Sequence, residues 1–516
     1  MKDRWLYILI LVSAVCKLII AGITELNNDE VYYWTYTQQL QWSYFDHPPG
    51  IALLLKFFTI NLFFENEIML RLGPIVCGAV STWLIYLIGR KIRNNHTGFI
   101  AALLFSASPY CNIIAGLLVI PDAPQLVFWL WSVLLMVEIT SCYLDDRTYN
   151  IKLLLLGVTI GLCILCKIHG IFLWVGFLLY AMLFQRKIFI NRYLYFSLSI
   201  TVCLLFPILY WNYSNDFITY KYQGSRIGIG SIQWDSFFRE LFGEIIYNSP
   251  IIFVLFVSTC VAMLQRKRFV ALAYQRLLLL IFFPLVIIVL LISLFRDTLP
   301  HWTGPAYATM IPAVAAFINY KQKSTTENSF PRSVKWALAL TIFLLIAAVG
   351  VVRLLPVNIG SKDVQELGKH DVTLDMNGWT DFGKNFDSLY RHDRQGGLIN
   401  KNPFLISDYW FPAAHINYYV ANRYHFNFLA IGKLSAIHHY AWLNKTRPFL
   451  NKGDDAYFIT VSNFYNPPVI QLSLQFEKVL APAVITQFRS GIPVREFVIF
   501  RLKNYRGNIP RSGILE

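Results

Sequence analysis

The sequence predicts an α-helical polytopic membrane protein, with about eleven transmembrane helices and a soluble α/β domain at its C-terminal end. Three observations predict it. Apolar residues fill 56% of the 516 positions and charged residues only 15%, a balance far from that of a soluble domain. Apolar runs of about twenty residues recur through the first two thirds of the chain, the length that crosses a hydrocarbon core as a helix. From about Pro356 those runs shorten to strand length, while Gly, Asn and polar residues become more frequent.

Counting roughly twenty apolar residues per span, helices are expected at 5–23, 68–89, 97–118, 123–143, 151–167, 170–185, 194–211, 249–265, 277–295, 304–320 and 335–353. The net charge of +15 does not read as a nucleic-acid footprint, because Lys and Arg gather in short connectors between apolar runs. Lys2/Arg4, Arg90/Lys91/Arg93, Arg147/Lys152, Arg186/Lys187/Arg192, Arg266/Lys267/Arg268 and Lys321/Lys323 mark alternate connectors. The positive-inside rule puts these in the cytoplasm, together with the N-terminus. The first apolar run lacks a small-residue cleavage site and reads as a retained helix. An odd number of spans then leaves the C-terminal domain on the outer face.

The expected domains are a transmembrane domain over 1–353 and an outer α/β domain over 354–516. In the latter PFLISDYW, DAYFITVS and REFVIFRL have strand character, and FPAAHINYYVANRY between the first two has helical spacing. No internal repeat is evident, and KQKSTTENSFPR is the one connector of linker composition. All eight cysteines lie at or before Cys260, so the C-terminal domain holds no disulfide. Cys163 and Cys166 form a CxxC on an apolar helix without a second pair, which is ordinary helix packing.

Acidic groups beside a bilayer are costly and mark function. On the outer face they concentrate in NNDEVYYWTYTQQLQWSYFDHPPG, from Asn27 to Gly50. Asp29 and Glu30 precede an aromatic stretch, and Asp46 and His47 precede Pro48 and Pro49, which fix the backbone and remove amide donors. Pro121-Asp122-Ala123-Pro124 puts a carboxylate where an outer connector meets a helix, where Asp is also a good cap. Lys167-Ile168-His169-Gly170 puts a cation and an imidazole against the positive-inside trend. Arg226, in YQGSR, and Arg296 and His301, in later outer segments, add basic groups; an arginine there can also snorkel to lipid head groups. Carboxylates that can act as a base, near cations that can hold a phosphate, are what transfer of a sugar from a lipid phosphate requires. No glycine-rich phosphate loop beside a parallel sheet is visible.

In this order NNDEVYYW, YFDHPPG, PDAPQLVFWLW, KIHGIFL, YQGSR and LPHWTGPAY resemble the polyprenyl-phosphate-sugar-dependent glycosyltransferases of the GT-C superfamily. Its bacterial members are relatives of protein O-mannosyltransferases and of the lipid A aminoarabinose transferase. The resemblance covers residues 1–353 and implies the following. Asp29 matches the proposed catalytic base and Glu30 completes the opening acidic pair. Asp46, His47, Asp122, Lys167, Arg226 and His301 line the donor phosphate and substrate. Asp-His stands here where the aminoarabinose transferase has Glu-Lys before its two prolines. That leaves open a divalent cation (Mg²⁺, Mn²⁺ or Zn²⁺) on Asp46 and His47, or an imidazolium that holds the phosphate itself; no other cofactor is expected. Transfer would invert the anomeric centre in one displacement. The partners would be a polyprenyl-phosphate-linked sugar, membrane lipid and an acceptor on protein, lipid A or glycan, in the bacterial inner membrane with the C-terminal domain in the periplasm.

Two other classes compete. A transporter or flippase of the lipid-linked sugar would put charges at the bilayer midplane within inverted repeats. A scaffolding subunit would have no use for these acids and bases on one face.

Overall fold

The computed structural model describes residues 4–141, 147–225, 231–322, 331–465 and 469–515. The chain forms two compact units, one of Met1–Ile19 with Gln41–Leu345, the other of Ile20–Leu40 with Ile346–Glu516. The second unit thus takes in residues 20–40, which the expected division at 353/354 assigns to the membrane domain.

Every expected span is helical in whole or part: α1 (Arg4–Ile23), α4 (Glu67–Ile92), α5 (Asn95–Ser106), α6 (Asp122–Ile139), α7 (Arg147–Cys166), α8 (Ile171–Phe184), α9 (Arg192–Ser214), α12 (Pro250–Leu264), α13 (Leu272–Ser293), α14 (Gly304–Lys321) and α15 (Arg332–Leu354). Between them lie α2 (Asn28–Gln38), α3 (Gly50–Phe58), α10 (Ile218–Ser225) and α11 (Trp234–Tyr247). Apolar side chains such as Leu11, Phe206 and Ile346 are exposed on α1, α9 and α15, as lipid-facing surfaces require.

Among the described residues seven helices are long and apolar enough to cross a membrane, or eight if the bent pair α11 and α12 is one span, and the other expected runs are shorter, interrupted or less apolar. The causes are local. The run at 97–118 stops at Ser106 and resumes as a π-helical turn, Tyr110–Ile114, because Pro109 disfavours helix in the residue before it and donates no hydrogen bond. The run at 249–265 starts only at Pro250; α11 and α12 meet at 99° across Ser249, whose φ is +67°. The α8 helix has only 14 residues.

Small residues let the spans approach closely. Gly157 and Gly161 of α7 face Ser197, Thr201 and Leu204 of α9. The Ser197 hydroxyl donates to Leu153 O (2.5 Å) and the Thr201 hydroxyl to Gly157 O (2.8 Å), the small-residue contact of membrane helices.

In the second unit β1 (Phe404–Ser407) lies between β2 (Phe428–Ala430) and β3 (Ala456–Val461), both parallel to it. The long β6 (Ile492–Tyr505) is antiparallel to β3 on one edge and to β5 (Ala483–Arg489) and β4 (Phe476–Val479) on the other. β1, β3 and β6 carry the three expected strand motifs. Phe404, Ile406, Phe458, Phe500 and Leu502 form the core of one face. Two helices precede and follow β1: α16 (Trp379–Gln395) and α17 (Trp410–Ile416), the latter continuing as a π-helical turn, Asn417–Asn422.

A Cβ at Gly157 would collide with the Ser197 backbone, whereas one at Gly350 meets nothing within 4 Å. Gly157→Leu is expected to cost about 1–3 kcal/mol by overpacking, read as a lower Tm of the detergent-solubilised protein. Gly350→Ala should leave Tm unchanged or slightly raised.

Candidate active site

In the membrane unit Asp122 is the first residue of α6, but it does not cap it: the N-cap is Pro121, without a side-chain cap bond. Its carboxylate instead takes the Lys167 Nζ at 2.7 Å and the Tyr110 hydroxyl at 3.2 Å. Lys167 leaves α7 in an extended conformation, φ −156° and ψ 134°, just before a 3₁₀ turn over Ile168–Gly170. Both side chains of the pair are buried, at 4% and 2% exposure. Two charges out of water are tolerated there because each satisfies the other; removing one strands its partner.

Two imidazoles belong to the same neighbourhood. His301 is held down to about 4, by burial first and then by the Lys167 cation, with Asp122 pulling the other way. His169 is held down to about 3 by the same two causes, and its Nδ1 is buried without a partner. His47 acts on both rings. His47, Asp122, Lys167, His169 and His301, far apart in sequence, therefore form one electrostatic cluster. An ammonium with three N–H donors, one of them given to Asp122, beside neutral imidazoles suits an incoming anion.

The Asp46–His47 segment is held from outside itself. Tyr44 N donates to His47 O at 3.1 Å and closes the turn. The Phe45 ring lies 4.4 Å from that of Tyr222, and the Thr219 hydroxyl donates to Tyr44 O at 3.2 Å. Pro48 and Pro49 are buried, while Asp46 and His47 are half-buried. Among the described residues no three His, Cys, Asp or Glu side chains gather as metal ligands. Two protein donors do not make a resident metal site, so a cation on Asp46 and His47, one of the two readings left open, lacks a donor set among the described residues; no cofactor is established.

Arg226 lies outside the described residues. Arg296 stacks over Trp302, 5.4 Å from the ring centroid. Sequence reasoning missed Glu240 and Glu244, both buried on α11. Glu240 accepts from the Thr298 hydroxyl (2.6 Å) and Glu244 from the Tyr307 hydroxyl (2.9 Å). Their signal was the i,i+4 pair of acids in RELFGEIIY.

Asp29 and Glu30 belong to the second unit, on the first turn of α2. Asn27 Oδ1 accepts from Glu30 N, and the Glu30 carboxylate accepts from Asn27 N, each at 2.9 Å. This reciprocal capping box occupies Glu30, which is fully buried. Asp29 is exposed, at the helix end where a negative charge is favoured.

The family model described as dolichyl-phosphate-mannose-protein mannosyltransferase matches residues 46–211, a window that holds Asp46, His47, Asp122, Lys167 and His169. The lipid A galacturonosyltransferase RgtD of Rhizobium johnstonii is 22% identical over 291 residues, 55% of this chain and 59% of that protein. The chain thus matches less than two thirds of the length of this curated relative. Two crystal structures of ArnT from Cupriavidus metallidurans share the fold: the apo state, with a TM-score of 0.61, and the state bound to undecaprenyl phosphate, with 0.62. They cover 96% and 97% of this chain and 98% of each ArnT chain, at 13% and 14% identity. By sequence the chain is thus similar over part of its length to a mannosyltransferase family model and to a galacturonosyltransferase, and it shares the ArnT fold.

Proposed function

We propose that the protein moves a sugar from a polyprenyl phosphate to an acceptor hydroxyl on the periplasmic side of the bacterial inner membrane. The observation that carries this reading is the buried Lys167 ammonium, oriented by Asp122 and set among His47, His169 and His301. The name of the RgtD relative favours lipid A as acceptor, and that of the ArnT structure favours undecaprenyl phosphate as carrier. The transporter alternative gains nothing, since the sequence matches are to transferases.

In the proposed reaction the acceptor oxygen attacks the anomeric carbon and its bond forms as the bond from that carbon to the phosphate oxygen breaks. The electron pair leaves with the carrier phosphate, which gains one negative charge. Lys167 stabilises that charge, and the imidazoles donate N–H bonds to it. Asp29 takes the acceptor's proton, and the centre inverts. Glu30 serves through its cap, fixing the turn that carries Asp29. Asp46 and Arg226 are assigned to substrate contact, on sequence grounds for Arg226. No step needs a metal.

A deletion strain analysed by mass spectrometry of its lipid A and glycoproteins should lack one sugar, restored by the wild-type gene. Complementation with Asp29→Asn should fail, since loss of a general base lowers rate by about 10²–10⁴. Unchanged glycoforms in the deletion strain would sink the transferase reading.

Lys167→Ala should abolish transfer and also lower Tm, because a broken buried pair costs about 3–5 kcal/mol. The neutral pair Asp122→Asn with Lys167→Met should recover most of the stability and none of the activity. Recovered transfer in that double variant would show the pair to be structural. Turnover of the purified protein should also survive exhaustive chelation. Activity lost to chelator and restored by one divalent ion would overturn the metal-free scheme.

A further inference from the structure

The second unit contains a column of stacked rings and cations that ends on α2. Arg495 of β6 is fully buried. Its guanidinium lies 4.2 Å from the Trp379 ring centroid and 4.6 Å from that of Phe497. It donates to Gln487 Oε1 (3.1 Å), Leu374 O (3.1 Å) and Asn377 O (2.8 Å). Trp379 stacks on His415 at 4.1 Å with the planes 5° apart, and His415 on Tyr419 at 5.9 Å and 16°.

Four hydrogen bonds join this part of the unit to residues that precede or begin α2. The Trp379 and Thr380 amides donate to the Glu25 carboxylate at 3.0 and 2.8 Å. Leu26 N donates to the Tyr419 hydroxyl at 2.8 Å. His415 Nε2 lies 2.8 Å from Asn28 Oδ1, and the Asn28 side chain also bonds Asp375. An amide oxygen only accepts, so the proton of His415 sits on Nε2. Burial, then the Arg495 cation, keeps the ring from charging. Its Nδ1 is buried without a partner, a cost that a phenylalanine in the same stack would avoid. Packing alone therefore does not account for a histidine here; the Nε2–H bond to Asn28 does.

We propose that His415 and Asn28 are positioning residues, through which the C-terminal domain fixes the first turn of α2 and, with it, the Asp29 carboxylate. This rests on the assignment of Asp29 as base. It gives the C-terminal domain a part in transfer that is separate from any contact with substrate: it clamps the backbone on both sides of the cap residue Asn27. Orientation of a reacting group to within a fraction of an ångström is worth large factors in rate, and a helix end held only by its own cap frays.

The test compares His415→Phe, which keeps the stack and removes the donor, with His415→Gln, which restores an amide donor. Asn28→Ala removes the bond, together with the one to Asp375, without touching the column. Hydrogen exchange of the α2 amides is measured on the full-length detergent-solubilised protein, and sugar transfer by complementation of the deletion strain. In His415→Phe and Asn28→Ala, exchange in the first turn of α2 should rise about tenfold, the expected effect of one lost buried hydrogen bond. Transfer should fall in both, and His415→Gln should recover much of each. Unchanged exchange in that turn, or faster exchange spread evenly over the whole domain, would overturn the proposal. Asp29→Asn in the same strain reports on the base separately. If it is inactive while His415→Phe transfers normally, the present inference alone fails; if it transfers normally, the base assignment fails whatever the exchange shows.

Discussion

The candidate site of the membrane unit is organised around one buried ion pair. An ammonium among apolar helices is tolerated only with a counter-charge at bonding distance, and Lys167 has Asp122 at 2.7 Å. That distance depends on the register of two helices. The Ser132 hydroxyl of α6 donates to the Thr159 hydroxyl of α7 at 2.8 Å, while Trp129 Nε1 of α6 donates to the Thr309 hydroxyl of α14 at 2.8 Å. The first bond sets α6 against α7, hence Asp122 against Lys167. The second ties α6 to the helix that follows the His301 turn. Side-chain hydrogen bonds between membrane helices average only about 0.6 kcal/mol each, so these fix geometry more than they add stability.

The spans were legible because hydropathy reports on composition, and a helix in lipid must bury its backbone polar groups in itself. What hydropathy does not report is where the backbone bends. Pro109 breaks one expected span within a run that is apolar on both sides, and Ser249-Pro250 bends the chain where another begins. Two of the helices that fall short of a full span, α5 and α14, are buried along almost their whole length. Surrounded by protein, they are free of the length and hydropathy that lipid imposes. Strands β1, β3 and β6 were legible as apolar runs, whereas three-residue β2 offers too short a pattern to detect.

The acids and bases of the candidate site stand out in the sequence as charges on one face of the predicted topology, yet their grouping does not. Asp122 and Lys167 are 45 residues apart, and only the packing of α6 on α7 joins them. Glu30 is instructive. Asn27-Asn28-Asp29-Glu30 carries the N-cap and N3 acid of a capping box in plain view, but an acid next to Asp29 invited a chemical role. The cap both occupies Glu30 and leaves Asp29 at the surface. Glu240 and Glu244 lie between the expected spans at 194–211 and 249–265, where no helix is expected, and the helix α11 buries both acids.

On the proposed reading, the charge balance of the cluster bears on how a donor is accepted. Before it arrives, Asp122 and Lys167 cancel and the His169 and His301 rings are neutral, because burial and the lysine both oppose their protonation. A phosphodiester brought to Lys167 adds a negative charge, and in a low-dielectric site that charge acts strongly on its neighbours. It favours the imidazolium form of the same rings that the lysine disfavours. The departing phosphate, with one more negative charge, favours it further. Rings that burial and the lysine keep from protonating, and that each added negative charge makes easier to protonate, would respond more to the transition state than to the resting protein, the condition for catalysis by differential binding. The same neutrality spares the empty site three adjacent positive charges, a repulsion that would otherwise work against the packing of α6, α7 and the His301 turn.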